Sequence, residues 1–301
     1  MNNVLYITNS CYLHIKDKNI IVSQKNIGDT RIPIDDVSVV ILENNLSTIS
    51  SSFLSNLADK NILLFTCDSS YMPNGIFLPF HQHSRYTEVS NMQLEWSEPF
   101  KKRIWQKIVI NKIENQIDLL EYFNFNTKGL KLYLKQVKSG DSGNIEAIVA
   151  SEYWNTIFSN SLNYYTRKID NIRNSALNYG YAIIRSVVAR ALVAKGFTPF
   201  FGLHHNNKLN SFNLADDIIE VFRCVVDYEV YLMFEEEGLY DEVLTKEIKK
   251  RLISLIDSTI TIDNKKYSLL SAVNEYIDSL KRATICKDSN ILKKVKLYGK
   301  Q

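Results

Sequence analysis

Hydrophobic and polar positions change rhythm near residue 95. Before it, short runs such as NVLYI, YLHIK, NIIVS, VSVVILE and NILLFTC stand between turn residues, alternating with period two or forming short apolar blocks. Period two puts successive side chains on opposite faces of a pleated strand, so these runs predict a small sheet domain. Within it, SSSFLSNLADK opens on serine and spaces Phe53, Leu54 and Leu57 as a helix does, which predicts one helix packed on the sheet. Pro33, Pro73, Pro79 and Pro99 all precede residue 100, and the stretch from Met72 to Pro99 reads as connector.

Between Pro99 and Pro199 there is no proline, and the apolar spacing becomes helical. It predicts helices over about 99–123, 127–138, 144–166, 174–195, 211–236 and 240–256, punctuated by Gly129, Gly140, Gly143, Gly196, Gly202 and Gly238. STITIDNKKYS predicts a short hairpin about Asp263 and Asn264, and SLLSAVNEYIDSLKRA a closing helix. The expected fold class is α+β. A small N-terminal β-sheet domain, sandwich-like, covers 1–75, a linker covers 76–98, and a larger all-α domain carrying the chemistry covers 99–301.

Composition adds bounds. With 301 residues, 45% of them hydrophobic, the chain can bury a sizeable core in two domains. Its longest apolar region, YAIIRSVVARALVAKGF, is broken by Arg185, Arg190 and Lys195, so no membrane span is expected. MNNVLYITNS has no basic segment ahead of a long apolar run, and the expected location is the cytoplasm. Cys11, Cys67, Cys224 and Cys286 show no paired spacing, which suggests neither a disulfide framework nor a zinc knuckle. A net charge of +3 says little, but two clusters are basic: Lys101, Lys102 and Arg103 with Lys107 and Lys112 behind them, and the tail from Lys281 through Lys300. Each is either a solvated face or a contact for phosphate.

Candidate chemistry concentrates in GLHHNNKLNSFNLADDIIEVFR, residues 202–223. Asp217 and Glu220 are three apart and share a helix face, whereas Asp216 is turned away by about 100°. Alone, such acids equally suit the amino-terminal end of a helix dipole facing water. Joined to imidazole from His204 or His205, they suit a divalent cation. Upstream, GNIEAIVASEYWNTIF places Glu146, Ala150, Tyr153 and Ile157 on one inward stripe, an unusual place for a bare carboxylate, while Glu152 points elsewhere. On these residues alone, a metal site of Glu146, His205 and Glu220 stands level with the plainer reading.

The run NSALNYGYAIIRSVVARALVAKGFTPFFGLHH followed by LADDIIEVFR resembles CRISPR-associated protein 1, the integrase of prokaryotic adaptive immunity, in its type II branch. Further matching pieces, in order along most of the chain, are FTCDSSYMPNGIFLPF, HSR, WQKIVINKIENQ, EAIVASEYW and LNYGYA. The resemblance implies a sandwich-like N-terminal domain that forms a homodimer, and a helical catalytic domain with one Mg²⁺ or Mn²⁺ site per subunit. It implies Glu146, His205 and Glu220 as the metal ligands, with Asp217 supporting them in catalysis. His205 aligns with the ligand histidine, and His204 occupies a variable position beside it.

The implied reaction is transesterification: the 3′-hydroxyl of a captured DNA duplex attacks a phosphodiester of the repeat array, and two attacks insert a new spacer. In this reading Lys208 contacts phosphate, and Arg185 with Arg190, and Tyr165 and Asn178 with Tyr164 and Tyr179, meet DNA; the plainer reading makes the arginines structural pairs on an apolar helix and the aromatic residues part of helix packing. Implied partners are CRISPR-associated protein 2, double-stranded DNA with 3′-OH ends, repeat-array DNA, and the type II effector nuclease with its accessory ring-forming protein. Three alternatives stand beside it: a metal-dependent endonuclease on branched or single-stranded DNA, a non-catalytic DNA-binding scaffold, and a small-molecule metallohydrolase.

Overall fold

The computed structural model describes residues 3–79, 86–158, 167–168, 170–239 and 242–297. The chain groups into two compact units, Met1–Tyr86 with Val193–Gly196, and Thr87–Leu192 with Phe197–Gln301.

In the first unit every expected run is a strand: β1 (Asn3–Ile7), β2 (Tyr12–Lys16), β3 (Asn19–Gln24), then β4 (Gly28–Pro33), β5 (Val37–Leu42), β6 (Thr48–Ile49), helix α1 (Ser51–Asp59), β7 (Leu63–Cys67) and β8 (Pro73–Phe77). One sheet has the order β1-β5-β7-β8, the other β4-β3-β2-β6. The β2–β3 turn uses Asp17 and Lys18, both at positive φ (51° and 59°), the backbone that a two-residue hairpin with right-handed twist requires. Leu13, Ile20 and Val22 from one sheet meet Ile7, Val40 and Leu64 from the other in a shared core that Phe53 and Leu57 of α1 also enter, which makes this unit sandwich-like. Ser50 caps α1 by accepting the Phe53 amide at 3.1 Å.

The expected linker over 76–98 is more ordered than its prolines suggest. Residues 73–77 form β8, an edge strand beside β7, where Pro73 at the first position loses no ladder hydrogen bond. Residues 86–94 form α2 (Tyr86–Leu94), a stretch with no proline or glycine of its own. The HSR triplet, 83–85, lies outside the described residues.

The second unit is helical: α3 (Glu98–Tyr122), α4 (Lys128–Leu134), α5 (Ile145–Ile157), α6 (Ile172–Ala194), α7 (Asn213–Ile219), α8 (Arg223–Tyr231), α9 (Lys246–Ser254) and α10 (Leu269–Cys286). A three-stranded sheet joins them, β9 (Thr259–Ile262), β10 (Lys265–Ser268) and β11 (Val295–Lys296), in the order β10-β9-β11. Asp263 and Asn264, at φ 50° and 61°, make the expected hairpin turn. The third strand is an addition that the alternation did not announce: Asn111 of α3 receives it like a strand edge, donating to the Val295 carbonyl at 2.7 Å and accepting its amide at 2.8 Å.

The long helix expected over 211–236 is segmented. Its turns tighten to a 3-10 segment at Glu220–Phe222 between α7 and α8, and a π segment over Leu232–Glu236 follows. Such local changes of pitch commonly mark functional positions in helices. The helix expected from about 240 begins at Lys246, capped by Thr245. Among the described residues no helix is long and apolar enough to cross a membrane.

Candidate active site

α3 is the spine of the site. Its inward side carries Ile104, Ile108, Ile113, Leu119 and Leu120, and on the same buried surface Asn111, Lys112, Asn115 and Gln116. A lysine there must be paired, because an isolated buried ammonium costs several kcal/mol. Lys112 is 7% exposed, and its Nζ contacts Glu146 Oε1 while lying 2.6 Å from Glu220 Oε2. Lys112 therefore does not belong to a solvated basic face, as its neighbourhood in the sequence suggests. Burial alone would depress its pKa, but the charges of Glu220 and Glu146 outweigh it and raise the value.

Glu146 reaches this position from the first turn of α5. Asp141 accepts the amides of Ile145 and Glu146, both at 2.9 Å, closing the helix start, and Asn144 adopts a left-handed backbone (φ 51°). Glu220 opens the 3-10 turn after α7, and that turn is tied to α3 where Asn115 donates to the Val221 carbonyl at 3.0 Å. Arg223 Nε donates to Glu220 Oε1 at 2.8 Å, and its guanidinium stacks 4.5 Å above the Tyr181 ring. Burial by itself would raise the Glu220 pKa. Arg223 and Lys112 overcome it and hold the carboxyl down to about 2, so Glu220 is ionised at any physiological pH.

Asp217 is wholly buried and faces the loop before α7. Its Oδ2 accepts the amides of Leu203 at 2.6 Å and His204 at 3.1 Å, and its Oδ1 accepts the His205 amide at 3.1 Å. The same Oδ1 lies 2.7 Å from His205 Nδ1, the partner that sequence could not name. This bond assigns the proton to Nδ1 in the neutral ring and leaves Nε2 as the open lone pair of a side chain 44% exposed. The Asp217 bond raises the His205 pKa, burial opposes it, and the Asp217 and Glu220 charges add to the rise. Gly202 permits the tight loop: a Cβ there would lie 2.2 Å from the His205 carbonyl oxygen and 2.9 Å from Asp217 Oδ2. His204 stacks flat on Trp105 of α3, centroids 4.3 Å apart and planes 2° apart, and His205 meets the same indole edge-on.

The structure thus brings Glu146 and Glu220 together about Lys112 and sets His205 against Asp217. It does not close the expected triad: among the described residues no three His, Cys, Asp or Glu side chains gather at metal-binding spacing. The Lys112 ammonium compensates both carboxylates, and the inner nitrogen of His205 is held by Asp217. The donor set nevertheless suits a hard divalent cation: two carboxylates, one imidazole with its inner nitrogen fixed, and a buried Glu220 Oε2 whose contact is the Lys112 ammonium at 2.6 Å.

Other expected residues fall as follows. Arg185 is paired with Asp216, Nε to Oδ1 at 2.7 Å, donates to Asn210 Oδ1 at 2.8 Å, and lies 4.8 Å over the Phe212 ring. Its counter-ion is Asp216, the structural pairing that its place on an apolar helix left open beside DNA contact, and its side chain is 37% exposed. Asn178 accepts from Arg167 Nη2 at 2.5 Å. Lys208 is exposed. Tyr164 and Tyr165 lie outside the described residues. In the basic tail, Lys293 pairs with Asp263 and Glu275 and Lys294 with Glu114, so both serve the fold. Lys112 and Arg223 were missed. The available signal for Lys112 was its place four residues after Ile108 on an otherwise inward stripe.

A strand-rich unit followed by a helical unit, with paired acidic side chains on the helices and a histidine oriented by an aspartate, defines an α+β protein with an acid–histidine site. Its sequence settles the family. The family model described as CRISPR associated protein Cas1 matches residues 5–257, and the chain belongs to that family. It is 36% identical over 291 residues, 96% of this chain and 94% of the relative, to the CRISPR-associated endonuclease Cas1 of Neisseria meningitidis serogroup C (strain 8013). Among solved structures, a Cas6-RT-Cas1–Cas2 complex superposes with TM-score 0.75 at 20% identity over the whole chain, which spans 36% of that longer polypeptide. A casposase bound to integration product superposes with TM-score 0.74 at 16% identity, covering 96% of this chain and 92% of the other.

Proposed function

We propose that this protein is a CRISPR adaptation integrase, joining the 3′-OH ends of captured DNA to the repeat array with the help of Mg²⁺ or Mn²⁺. The observation that carries the reading is the Glu146–Glu220 pair, Glu220 buried and Glu146 half-buried, beside a histidine whose inner nitrogen Asp217 holds. The Neisseria relative is named an endonuclease, and the casposase of the same fold was captured with an integration product. Both fit phosphodiester chemistry at this site.

In the reaction the 3′-hydroxyl oxygen forms a bond to phosphorus, the existing phosphorus–O3′ bond of the array breaks, and the hydroxyl proton leaves to solvent while the departing oxygen gains one. Glu146, Glu220 and His205 Nε2 would hold the cation, which when bound supplies Lewis-acid polarisation of the phosphoryl oxygen. Asp217 keeps the Nδ1 proton in place so that Nε2 stays a lone-pair donor throughout. Arg223 fixes the orientation of Glu220, and Lys208, exposed three residues beyond His205, meets the phosphate backbone. Trp105 packs against both histidine rings, flat on His204 and edge-on to His205.

The protein acts as a homodimer with the small Cas2 protein as partner. The Cas1–Cas2 composition of the neighbouring complex supports that partnership. The type II effector nuclease and its accessory ring-forming protein complete the proposed set. Cleavage of branched or single-stranded DNA is the same chemistry with water in place of the 3′-hydroxyl. The test combines the protein, Cas2, Mn²⁺, a labelled duplex with free 3′-OH ends and supercoiled repeat DNA. Joined product is expected from the wild type and not from Glu146→Ala or Glu220→Ala. Absence of product in the wild type, or product at full rate in either variant, refutes the proposal.

A further inference from the structure

We propose that Lys112 is a built-in counter-ion for the metal site: its ammonium holds Glu146 and Glu220 together without metal, and a divalent cation loads by displacing it. This rests on the reading of those carboxylates as metal ligands.

The geometry points to exchange rather than coexistence. Lys112 Nζ reaches both carboxylates at once, touching Glu146 Oε1 and lying 2.6 Å from Glu220 Oε2, the space where a cation shared by the two would sit. Glu220 Oε1 is already taken by Arg223 at 2.8 Å, so Oε2 is the oxygen left for metal, and it is the one facing Lys112. Charge leads to the same conclusion. Two carboxylates with Lys112 and Arg223 are balanced as they stand, and a divalent ion added beside both cations would leave an excess of two positive charges in a poorly solvated place. Removing the ammonium from between the carboxylates relieves the closest repulsion. The residue type suits this role, because an ammonium on a flexible four-carbon stem can withdraw, where a planar guanidinium locked on two carboxylates would not. Glu146, 29% exposed at its side chain, is the open side by which the ion enters.

Two consequences follow. The pair stays folded and pre-positioned without metal, and the ammonium weakens metal affinity by the strength of the contacts it must give up.

The test is thermal melting of the full chain against Mn²⁺ concentration, for the wild type, Lys112→Met, and the Glu146→Gln/Glu220→Gln double variant. Expected is a Mn²⁺-dependent rise in melting temperature for the wild type that is absent in the double variant. For Lys112→Met, melting without metal should fall, and the Mn²⁺ midpoint should drop at least tenfold, with a larger total rise. If Lys112→Met folds only when Mn²⁺ is supplied, the proposal is supported in its strongest form. If it is unfolded with and without Mn²⁺, or folded with an unchanged or higher midpoint, the proposal falls while the metal reading survives. A wild type that does not respond to Mn²⁺ overturns both.

Discussion

Replacing Asp217 by asparagine changes one atom at the centre of the histidine loop. The carboxylate accepts from Leu203 and His204 amides on Oδ2, and from the His205 amide and Nδ1 on Oδ1. An asparagine has one oxygen: with its NH₂ towards the Leu203 and His204 amides two donors are orphaned, and with its NH₂ towards His205 one is, because the neutral ring can carry its proton on Nε2 and accept at Nδ1. One or two hydrogen bonds to a charged acceptor are lost in a site with no exposure; at about 1.5–3 kcal/mol each, stability should fall by about 1.5–6 kcal/mol. The His205 pKa, raised first by the Asp217 bond, should also move down. The sign of the pH dependence follows. A raised histidine pKa contributes stability that is full below the unfolded value of about 6.5 and is lost as pH rises through the folded value. The difference between wild type and Asp217→Asn should therefore be largest in mild acid and shrink towards alkaline pH. It should not vanish there, because at least one orphaned amide remains. Urea unfolding followed by tryptophan fluorescence gives the stability, and the imidazole resonances in NMR give the pKa. A loss below about 1 kcal/mol together with an unmoved His205 pKa would refute this account of Asp217.

Three further outcomes are expected. Gly202→Ala should cost about 1–3 kcal/mol in urea unfolding, because its Cβ meets the His205 carbonyl at 2.2 Å and the loop must shift. Asn111→Ala removes both hydrogen bonds that receive Val295, and should cost about 1–3 kcal/mol and speed amide hydrogen exchange at β11. Burial raises the Asp227 pKa from 3.8 to about 6 even though the Tyr181 and Tyr153 hydroxyls donate to it. Its contribution is therefore full below the unfolded pKa and lost as pH rises through about 6. A shift of about two units corresponds to about 3 kcal/mol lost between about pH 4 and pH 7, visible in urea midpoints and absent from Asp227→Asn.

The strands were legible because their period of two is local, and Glu146 was legible because a carboxylate on the stripe with Tyr153 and Ile157 stands out within one helix. Lys112 was not, since what makes it unusual is the arrival of Glu146 and Glu220 from segments 34 and 108 residues away in the chain. Spacing placed Asp217 beside Glu220 on one helical face, but the chain tightens at Glu220 and the two acids serve different partners: Asp217 the 202–205 loop, Glu220 the cations Lys112 and Arg223. The partner of Arg185 was hidden for the same reason, because Asp216 lies 31 residues on and no local pattern pairs them. The helix α2 was hidden by the prolines around it.

The claim on which the functional reading turns is that Glu146, Glu220 and His205 share one divalent cation. Electron paramagnetic resonance titration of Mn²⁺ into the metal-free protein measures that directly. The account predicts one bound Mn²⁺ per chain, with affinity lowered at least about tenfold in each of Glu146→Gln, Glu220→Gln and His205→Ala. Unchanged Mn²⁺ binding in all three variants, or no stoichiometric binding by the wild type, would contradict it.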